Sequence, residues 1–488
     1  MIGYLRGLMP VRRDERATVL LLYGLLVVMV LADWVGKVGA DAIFIKRVGV
    51  TYLPVMYILT PLVMLAASGV LFALVDRMST RRLLVLYIAG TMVLSVVTQL
   101  ALVVGSVDYW WAYIFAHVVK ETIYLVFWVY AGNLFDSEQS KRIFPLFAGA
   151  LLVGKIGAGI AAGALQPVLH SENFMTVQAV GFALALALVA LFRRRLPEPA
   201  RSAATSRGSG LRAGVRDLRD GYRAVAMDRL LRPAGVGIFF WYLLMQIANY
   251  LYIAGLDSAS TSATAQGAED SFALLYASVY TSGSIIALVI QTLITGSLLR
   301  RFGVAAVLFV FPLWYLATFS AAWVALTLVT AVLLQVGERI IVPAIHLPAT
   351  QVIYSQIAAE LRPRARAFFS GGVNATGNIA AAVILLAGGI GPDPRALLLF
   401  CTACSAGFVG NIVLVRRALG RRIAENLRSE DPELRRNATQ MLHGEASAVP
   451  TEHLRAVLGQ ASADIEAAVR LALTRRGALA AAVEANAE

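Results

Sequence analysis

The chain of 488 residues is 58% hydrophobic and 15% charged, with a mean hydropathy of +0.70 and a formal net charge of +13. This composition excludes a soluble domain of that length, and the lack of alternating polar and apolar residues excludes a membrane β-barrel. Repeated apolar runs of about twenty residues instead predict an all-α, polytopic membrane protein. The positive charge does not indicate nucleic-acid binding, because the arginines lie in loops at the ends of the apolar runs.

Twelve membrane spans are predicted from the lengths of the apolar runs. Their centres lie near Val28, Val63, Val93, Leu125, Leu152, Leu184, Leu243, Ile286, Val310, Leu334, Val383 and Gly407. The first run has no small-residue cleavage site after it and continues into Asp33 and Lys37, which favours a retained helix over a signal peptide.

Basic residues mark every second connection, beginning with Arg12, Arg13 and Arg16 before the first span. The other connections are acidic or nearly neutral, and Lys46 and Arg47 after span one are the exception. Because basic loops stay on the cytoplasmic side, this pattern predicts that both termini are cytoplasmic. We expect an integral protein of the bacterial inner membrane.

A long basic stretch divides the spans six plus six. The predicted organisation is a cytoplasmic N-terminus at 1–16, a six-span bundle at 17–196, a linker at 197–232, a second six-span bundle at 233–420 and a tail at 421–488. This is the plan of the major facilitator superfamily, whose two halves rock about a midplane site. Within the linker, Arg216–Leu231 is either an amphipathic helix on the membrane surface or a solvated segment.

Charged residues inside the spans are the first candidates for a site: Asp33, Lys37, Lys120, Glu121 and Lys155. An ionisable side chain in the bilayer costs about 3 kcal/mol or more, so it usually faces a bundle interior or a water-filled path. Asp33 and Lys37 are four residues apart, which predicts a pair that is either fixed or broken by substrate. Alternatively, the span-four charges only neutralise partners on neighbouring helices.

The spacing of His117 and Glu121, also four residues, allows a proton-linked pair. Lysine usage gives a further indication, since only five of the 43 basic residues are lysines and three of these lie inside predicted spans. A lysine ammonium holds phosphate or carboxylate as a point charge, which favours an anionic substrate. Snorkelling of the long side chain is the alternative explanation.

Span ten combines charges with helix breakers. Glu338 and Arg339 precede Pro343 and Pro348, and prolines inside a span free backbone carbonyls that often lie beside the site of a carrier. A simple kink explains the prolines equally well. Asn378 in span eleven is a candidate substrate contact or a hydrogen bond between helices.

No motif predicts an enzyme, a metal site or a cofactor. Gly149–Ile156 has the spacing of a phosphate-binding loop, but Ile156 replaces the Ser or Thr that holds magnesium and the run lies inside a span. The five histidines are scattered, and Cys401 and Cys404 are interpreted as packing residues of the last span. We expect no catalytic residue, no cofactor and no nucleic-acid partner.

The tail from Arg421 is charged and rich in Ala and Leu. Arg428–Leu442 resembles a HEAT-type repeat with an Asp-Pro helix start, and Ala461–Arg475 is a second, similar unit. Helical repeats bury their faces only by stacking, so we expect this tail to dock on the membrane domain or on a protein partner. An irregular charged helical tail is the alternative.

Three blocks carry a resemblance to a known family. FWVYAGNLFDSEQSKRIFPLF (Phe127–Phe147) resembles the signature after the fourth helix of the nucleotide transporter (ATP/ADP translocase) family of plastids and intracellular bacteria, and Glu121 stands at its intramembrane glutamate. Leu31–Pro54 resembles the family's first helix and following loop, and Ala349–Ile379 its loop between helices ten and eleven. The resemblance implies a major-facilitator-like antiporter with no enzymatic step.

The chain departs from the family pattern at functional positions. Leu31-Ala32-Asp33 replaces a Leu-Lys-Asp run, Gly377-Asn378 replaces a Gly-Lys pair, and span seven lacks the family's glutamate. The resemblance therefore implies the scaffold, and we expect the substrate to be a nucleotide or another anionic metabolite.

These observations give one hypothesis and two alternatives. The hypothesis is a secondary carrier that moves an anion by alternating access, with substrate-binding residues Asp33, Lys37, Lys120, Glu121, Lys155, Glu338, Arg339 and Asn378. One alternative is a carrier of an unrelated solute in which Glu121 is the proton-coupling site. The other is a membrane scaffold or sensor that acts through its tail.

Overall fold

The computed structural model describes residues 12, 15–105, 108–135, 137–192, 196, 223, 227–262, 264–357, 361–389, 394–445, 449, 451–455, 458 and 463–474. Most of the predicted N-terminal segment and nearly all of the basic linker lie outside these residues. So does most of 216–231, for which the sequence left an amphipathic helix and a solvated segment as alternatives.

The twelve predicted spans are confirmed, because each predicted centre falls inside a helical segment long and apolar enough to cross a membrane. The segments are Arg16–Val48, Val50–Leu71, Thr80–Val104, Tyr109–Leu134, Arg142–Leu169, Ser171–Leu191, Leu231–Ala259, Ala265–Leu293, Val304–Val324, Leu328–Thr350, Phe368–Gly388 and Arg395–Leu427. Within the described residues the secondary structure is helical throughout, as the all-α prediction requires.

The first eight spans are built on one long helix each. These helices are α1 (Arg16–Ile43), α2 (Leu53–Arg77), α3 (Thr80–Val104), α4 (Tyr109–Leu134), α5 (Ser137–Leu169), α6 (Phe174–Leu191), α7 (Leu231–Ala259) and α8 (Ala265–Leu293). The remaining spans are interrupted or extended: α9 (Thr295–Phe302), α10 (Val304–Val307), α11 (Val310–Val324), α12 (Leu328–Val336), α13 (Leu347–Tyr354), α14 (Arg362–Ala367), α15 (Asn374–Ile384) and α16 (Arg395–Leu427).

The chain forms two compact units. The first comprises 1–214 and 250–285, and therefore includes parts of α7 and α8; the second comprises 215–249 and 286–488. The six-plus-six domain boundaries remain a prediction.

The first unit is organised around α1, which packs against α4, α5 and α6. Small residues allow this close approach: a Cβ atom on Gly181 of α6 would lie 2.4 Å from Cβ of Ala32. Packing through small residues is the usual way in which membrane helices associate, because lipid leaves no hydrophobic drive between them. As a result, α1 is buried along its second half, including the charged residues Asp33, Lys37 and Asp41.

The second unit contains the irregular span ten. Wide turns of the π type cover Gly337–His346, which includes Pro343, and α13 then begins beside Pro348. Pro348 has no N–H for the carbonyl of Ala344, and Thr295 Oγ1 donates a hydrogen bond to that carbonyl at 2.6 Å. The predicted effect of the prolines, a freed backbone carbonyl, is confirmed, and a neighbouring side chain satisfies it.

Within the described residues, the tail forms the helices α17 (Pro432–Glu445), α18 (Thr451–Arg455) and α19 (Ala463–Thr474). The predicted Asp-Pro start is confirmed, since Oδ1 of Asp431 accepts a hydrogen bond from the N–H of Glu433 at 2.8 Å. Helix α17 packs on α16 and α9 within the second unit. The docking of the tail on the membrane domain is thus confirmed for α17, while its likeness to HEAT repeats stays a prediction.

Candidate functional site

A cluster of charged side chains in the first unit surrounds the indole of Trp34. The Nζ atoms of Lys155, Lys37 and Lys120 lie 5.1, 5.4 and 5.9 Å from the centroid of this ring. These are cation–π distances, at which the negative face of the ring attracts an ammonium group. The three lysines come from three different helices, α5, α1 and α4, and only the fold brings them together.

Lys37 does not pair with Asp33 as the spacing predicted. It forms an ion pair with Asp41, one turn further along α1, and donates a hydrogen bond to the hydroxyl of Tyr276 at 2.9 Å. Both Lys37 and Asp41 are almost fully buried. The prediction was wrong because the four-residue spacing is equally satisfied in both directions, and Tyr276 of α8 holds the ammonium on the Asp41 side.

His117 does not pair with Glu121. Its Nε2 atom lies 2.9 Å from Oδ1 of Asp41, so Asp41 joins Lys37 and His117 in one buried group. Glu121 instead forms an ion pair with its sequence neighbour Lys120 at 2.8 Å. The side chains of Lys120 and Glu121 are 26% and 40% exposed, whereas those of Lys37 and Asp41 on α1 are almost fully buried.

Asp33 differs from every other charged residue of this cluster. It has no accessible surface, and neither carboxyl oxygen accepts a hydrogen bond from any described residue. Lys120, Lys37, Glu121 and Lys155 are near enough to interact with it electrostatically. A buried carboxyl without hydrogen-bond donors is expensive, and native structures rarely keep one without a use.

Two tyrosines extend the cluster beside Trp34. The rings of Trp34 and Tyr280 lie 4.0 Å apart between centroids, and Tyr276 lies 6.2 Å from Tyr280. Both tyrosines belong to α8, in the part of that helix that packs with the first unit. The site therefore combines ammonium groups with flat aromatic surface.

The three predicted site residues of the second unit form separate, local contacts. Glu338 lies 4.0 Å from Arg339 and accepts a hydrogen bond from Gln335 at 2.8 Å. Asn378 donates to Oδ1 of Asn374 at 2.6 Å. These contacts are with residues of the same or an adjacent turn, and they support a structural role as readily as substrate contact.

A cavity in the second unit is almost entirely apolar. It is lined by Leu308, Thr350, Phe369, Phe408 and Ile412, among others, with His346 at its wall. Such a lining does not suit a charged ligand, because a charge there would lose its hydration without gaining hydrogen bonds.

A second polar cluster of the first unit, here called the Arg47 clamp, explains the two basic residues that broke the loop-charge pattern. Arg47 binds the carboxylates of Glu269 and Glu172, while Lys46 forms an ion pair with Asp257 at 2.6 Å. Lys46 also donates to the backbone carbonyls of Asp257 and Ser260. The exception in the charge pattern is thus matched by acidic residues at the adjoining ends of α7 and α8 and by Glu172 just before α6.

Backbone geometry places the clamp. Gly49, at φ +107°, closes the last wide turn of span one through a hydrogen bond from its N–H to the carbonyl of Phe44, which positions Lys46 and Arg47. His170, at φ +54°, is a non-glycine residue in the same unfavourable region, and its Nδ1 lies 2.8 Å from Asp270. Asp270 also accepts a hydrogen bond from the N–H of Ser171 at 2.7 Å.

Sequence reasoning missed Asp41, Trp34 and Tyr276 as members of the charged cluster. Asp41 carried a signal, since it lies four residues beyond Lys37 and eight beyond Asp33 on the same helical face. Trp34 and Tyr276 carried none, because an aromatic residue in an apolar run is ordinary.

Comparison with known proteins supports the fold. No protein-family model and no curated protein sequence matches the chain. Among solved structures, a POT family transporter in complex with 5-aminolevulinic acid aligns with a TM-score of 0.58 at 14% identity, over 80% of this chain and 95% of that one. The nucleoside transporter NupG aligns with a TM-score of 0.52 at 15% identity, over 82% and 98% of the two chains.

A bacterial homolog of the human lysosomal transporter Spinster, in an inward-facing and unoccupied conformation, aligns with a TM-score of 0.52 at 13% identity, over 89% and 99% of the two chains. The chain has the fold of the major facilitator carriers. At such low identities the likeness extends to the fold alone.

Proposed function

We propose that this protein is a secondary carrier that moves an anionic metabolite across the bacterial inner membrane by alternating access, with both termini in the cytoplasm. The observation that carries the proposal is the convergence of Lys37, Lys120 and Lys155 on the ring of Trp34. The fold of the major facilitator carriers supports the transport part, and the basic loops support the orientation.

Convergent ammonium groups favour an anion for an electrostatic reason. Like charges repel by about 4 kcal/mol at 4 Å under the effective dielectric of a protein, so a cluster of lysines inside a membrane protein needs negative charge. Lys37 and Lys120 each have a carboxylate partner, and the ammonium of Lys155 lies over the ring of Trp34. A phosphate or carboxylate that binds beside the indole of Trp34 lies within reach of all three ammonium groups.

A nucleotide is the substrate class we favour. Lysines supply point charges for phosphates, and the Trp34–Tyr280 pair supplies flat surface on which a base stacks. The three sequence blocks that resemble the nucleotide transporter family point the same way.

The accessible surface of Lys120 and Glu121 supports access of the substrate from that side of the cluster. Because Glu121 is occupied by Lys120, we place it in the charged lining of the site. This differs from the alternative in which Glu121 alone couples an unrelated solute to protons.

The test is a thermal-shift comparison of the purified protein with ADP, inorganic phosphate, citrate and adenosine. A ligand that binds the folded state raises the melting temperature by mass action. At a hundredfold excess of ligand over Kd, the folded state is stabilised by about 2.7 kcal/mol. We expect ADP to stabilise the protein and adenosine, which lacks the phosphates, to have little effect. Lys155→Gln is expected to abolish the shift, whereas the exposed Arg82→Gln preserves it.

The outcomes separate the hypotheses. Stabilisation by phosphate or citrate but not ADP supports an anion carrier of another kind. A shift with adenosine equal to that with ADP contradicts the anionic site. If no ligand of the panel changes the melting temperature and a protein partner binds to the tail, the scaffold hypothesis is favoured.

A further inference from the structure

Two carboxyl groups on α1 lie two turns apart in opposite surroundings. Asp41 is 2% exposed, and its oxygens contact Nζ of Lys37 and Nε2 of His117. Asp33 is 0% exposed, and neither oxygen has a hydrogen-bond donor among the described residues. Donors are what make a buried carboxylate tolerable, so Asp41 is built to be ionised and Asp33 is built to hold a proton.

Helix α1 itself and three neighbouring helices contribute the charged and titratable groups that act on Asp33. Along α1 itself this is Lys37; α4 contributes Lys120, Glu121 and Tyr124, α5 contributes Lys155, and α3 contributes Tyr87. Helix α6 packs on the same turn with the uncharged Gln178 against Gly36. Lys37 and Lys120 are each within hydrogen-bond distance of another carboxylate. They therefore attract the carboxyl group of Asp33 electrostatically, without a hydrogen bond to it.

The formal charges of the cluster balance when Asp33 is ionised. Lys37, Lys120 and Lys155 supply three positive charges, and Asp33, Asp41 and Glu121 supply three negative ones, with His117 neutral. A proton on Asp33 therefore changes the net charge of the cluster from zero to plus one. The cluster attracts an anion only when Asp33 is protonated and the net charge is plus one, because the protein interior screens this charge weakly.

We infer that Asp33 is the proton-binding residue of this carrier and that its proton couples to the anion. A proton from the water on one side adds to a carboxylate oxygen of Asp33, and the anion binds the resulting positive cluster. On the other side the proton leaves to water, the cluster becomes neutral and the anion is released. The coupling half of this inference rests on the proposed function, whereas the protonation of Asp33 does not.

Infrared spectroscopy tests the protonation directly. The purified protein is titrated around neutral pH, and the C=O stretch of protonated carboxyl groups is compared between wild type, Asp33→Asn and Asp41→Asn. We expect part of this band to be missing in Asp33→Asn and unchanged in Asp41→Asn. Asparagine has the shape of a protonated aspartate, so Asp33→Asn is expected to fold. A band that is identical in wild type and Asp33→Asn overturns the inference.

Transport tests the coupling. In proteoliposomes, we expect an inward proton gradient to stimulate uptake of radiolabelled ADP by wild type about tenfold, within the range of ordinary linkage. Asp33→Asn, which cannot take up a proton, should lose this stimulation, whereas the exposed Arg82→Gln should keep it. Stimulation that persists in Asp33→Asn overturns the coupling. If ADP does not enter wild-type vesicles, the nucleotide proposal fails, while the infrared comparison still decides whether Asp33 holds a proton.

Discussion

Arg47 and Glu269 are joined by two parallel hydrogen bonds, from Nε to Oε1 at 2.6 Å and from Nη2 to Oε2 at 2.9 Å. The two residues are 222 positions apart in the sequence, and Glu269 is only 1% exposed. A planar guanidinium that meets a carboxylate in this way gives both energy and a defined geometry. This contact fastens the start of α8 to the end of span one.

Removing the arginine should therefore cost more than a surface ion pair. Arg47→Gln leaves the carboxylate of Glu269 buried without its cation, and we expect a loss of about 2–5 kcal/mol in the free energy of unfolding. The double variant Arg47→Gln/Glu269→Gln should recover part of this loss, because no unpaired charge remains. Chemical denaturation of the four proteins of the cycle measures the coupling. Strictly additive losses would show that the pair contributes nothing.

The hydrogen bond from Thr295 to the carbonyl of Ala344 should be worth about 1–3 kcal/mol, since Thr295→Val leaves that carbonyl buried without a donor. Thr292→Val is the matched control: its hydroxyl is exposed and bonds only to its own helix. In the background Pro348→Ala, which restores an N–H to the carbonyl, the cost of Thr295→Val should shrink. Thermal unfolding in detergent measures all five proteins, and an equal cost of Thr295→Val in both backgrounds would refute the account.

Glu15 should make stability depend on acid pH. Its burial by itself favours the neutral form. Even so, hydrogen bonds from the N–H of Arg12, from Gln139 and from Arg142, with the charge of Arg142, lower its pKa below the ordinary value. A carboxyl whose pKa is lower in the folded state stabilises the protein above the unfolded pKa, and this contribution disappears as the pH falls through the folded pKa.

The stability of wild type should therefore exceed that of Glu15→Gln near neutral pH, and the difference should narrow on acidification below about pH 4. Melting temperatures of both proteins across that range give the result. A difference that is independent of pH would mean that the carboxylate charge has no part in the contact between Glu15 and Arg142.

The tail should be held mainly by apolar contact. Leu442 of α17 is 1% exposed, whereas Glu433, which pairs with Arg362 at 2.8 Å, has a side chain that is 56% exposed. Leu442→Ala should cost about 2–5 kcal/mol of docking energy, and Glu433→Gln less than about 1 kcal/mol. Limited proteolysis of the tail measures the release, with the exposed Arg436→Ala as control. Faster cleavage of Glu433→Gln than of Leu442→Ala would reverse this ranking.

The sequence by itself determined the class of the protein, the twelve spans and the residues that carry charge inside them. These properties are local: twenty apolar residues form a membrane helix whatever surrounds them, and an ionisable side chain in such a run is visible without a fold. The Asp-Pro start of α17 and the carbonyl freed by a proline in span ten are local in the same sense, and both predictions were correct.

Only the tertiary structure decided which charges meet. Lys37 pairs with Asp41 and not with Asp33 because Tyr276, 239 residues away, accepts a hydrogen bond on that side. His117 contacts Asp41 on another helix, and Lys46 and Arg47 pair with acidic residues more than a hundred positions away in the sequence. Spacing along a helix defines which residues share a face, but the choice among partners depends on which neighbouring helix packs there. That packing brings three lysines to one indole and leaves Asp33 without a hydrogen-bond donor among the described residues.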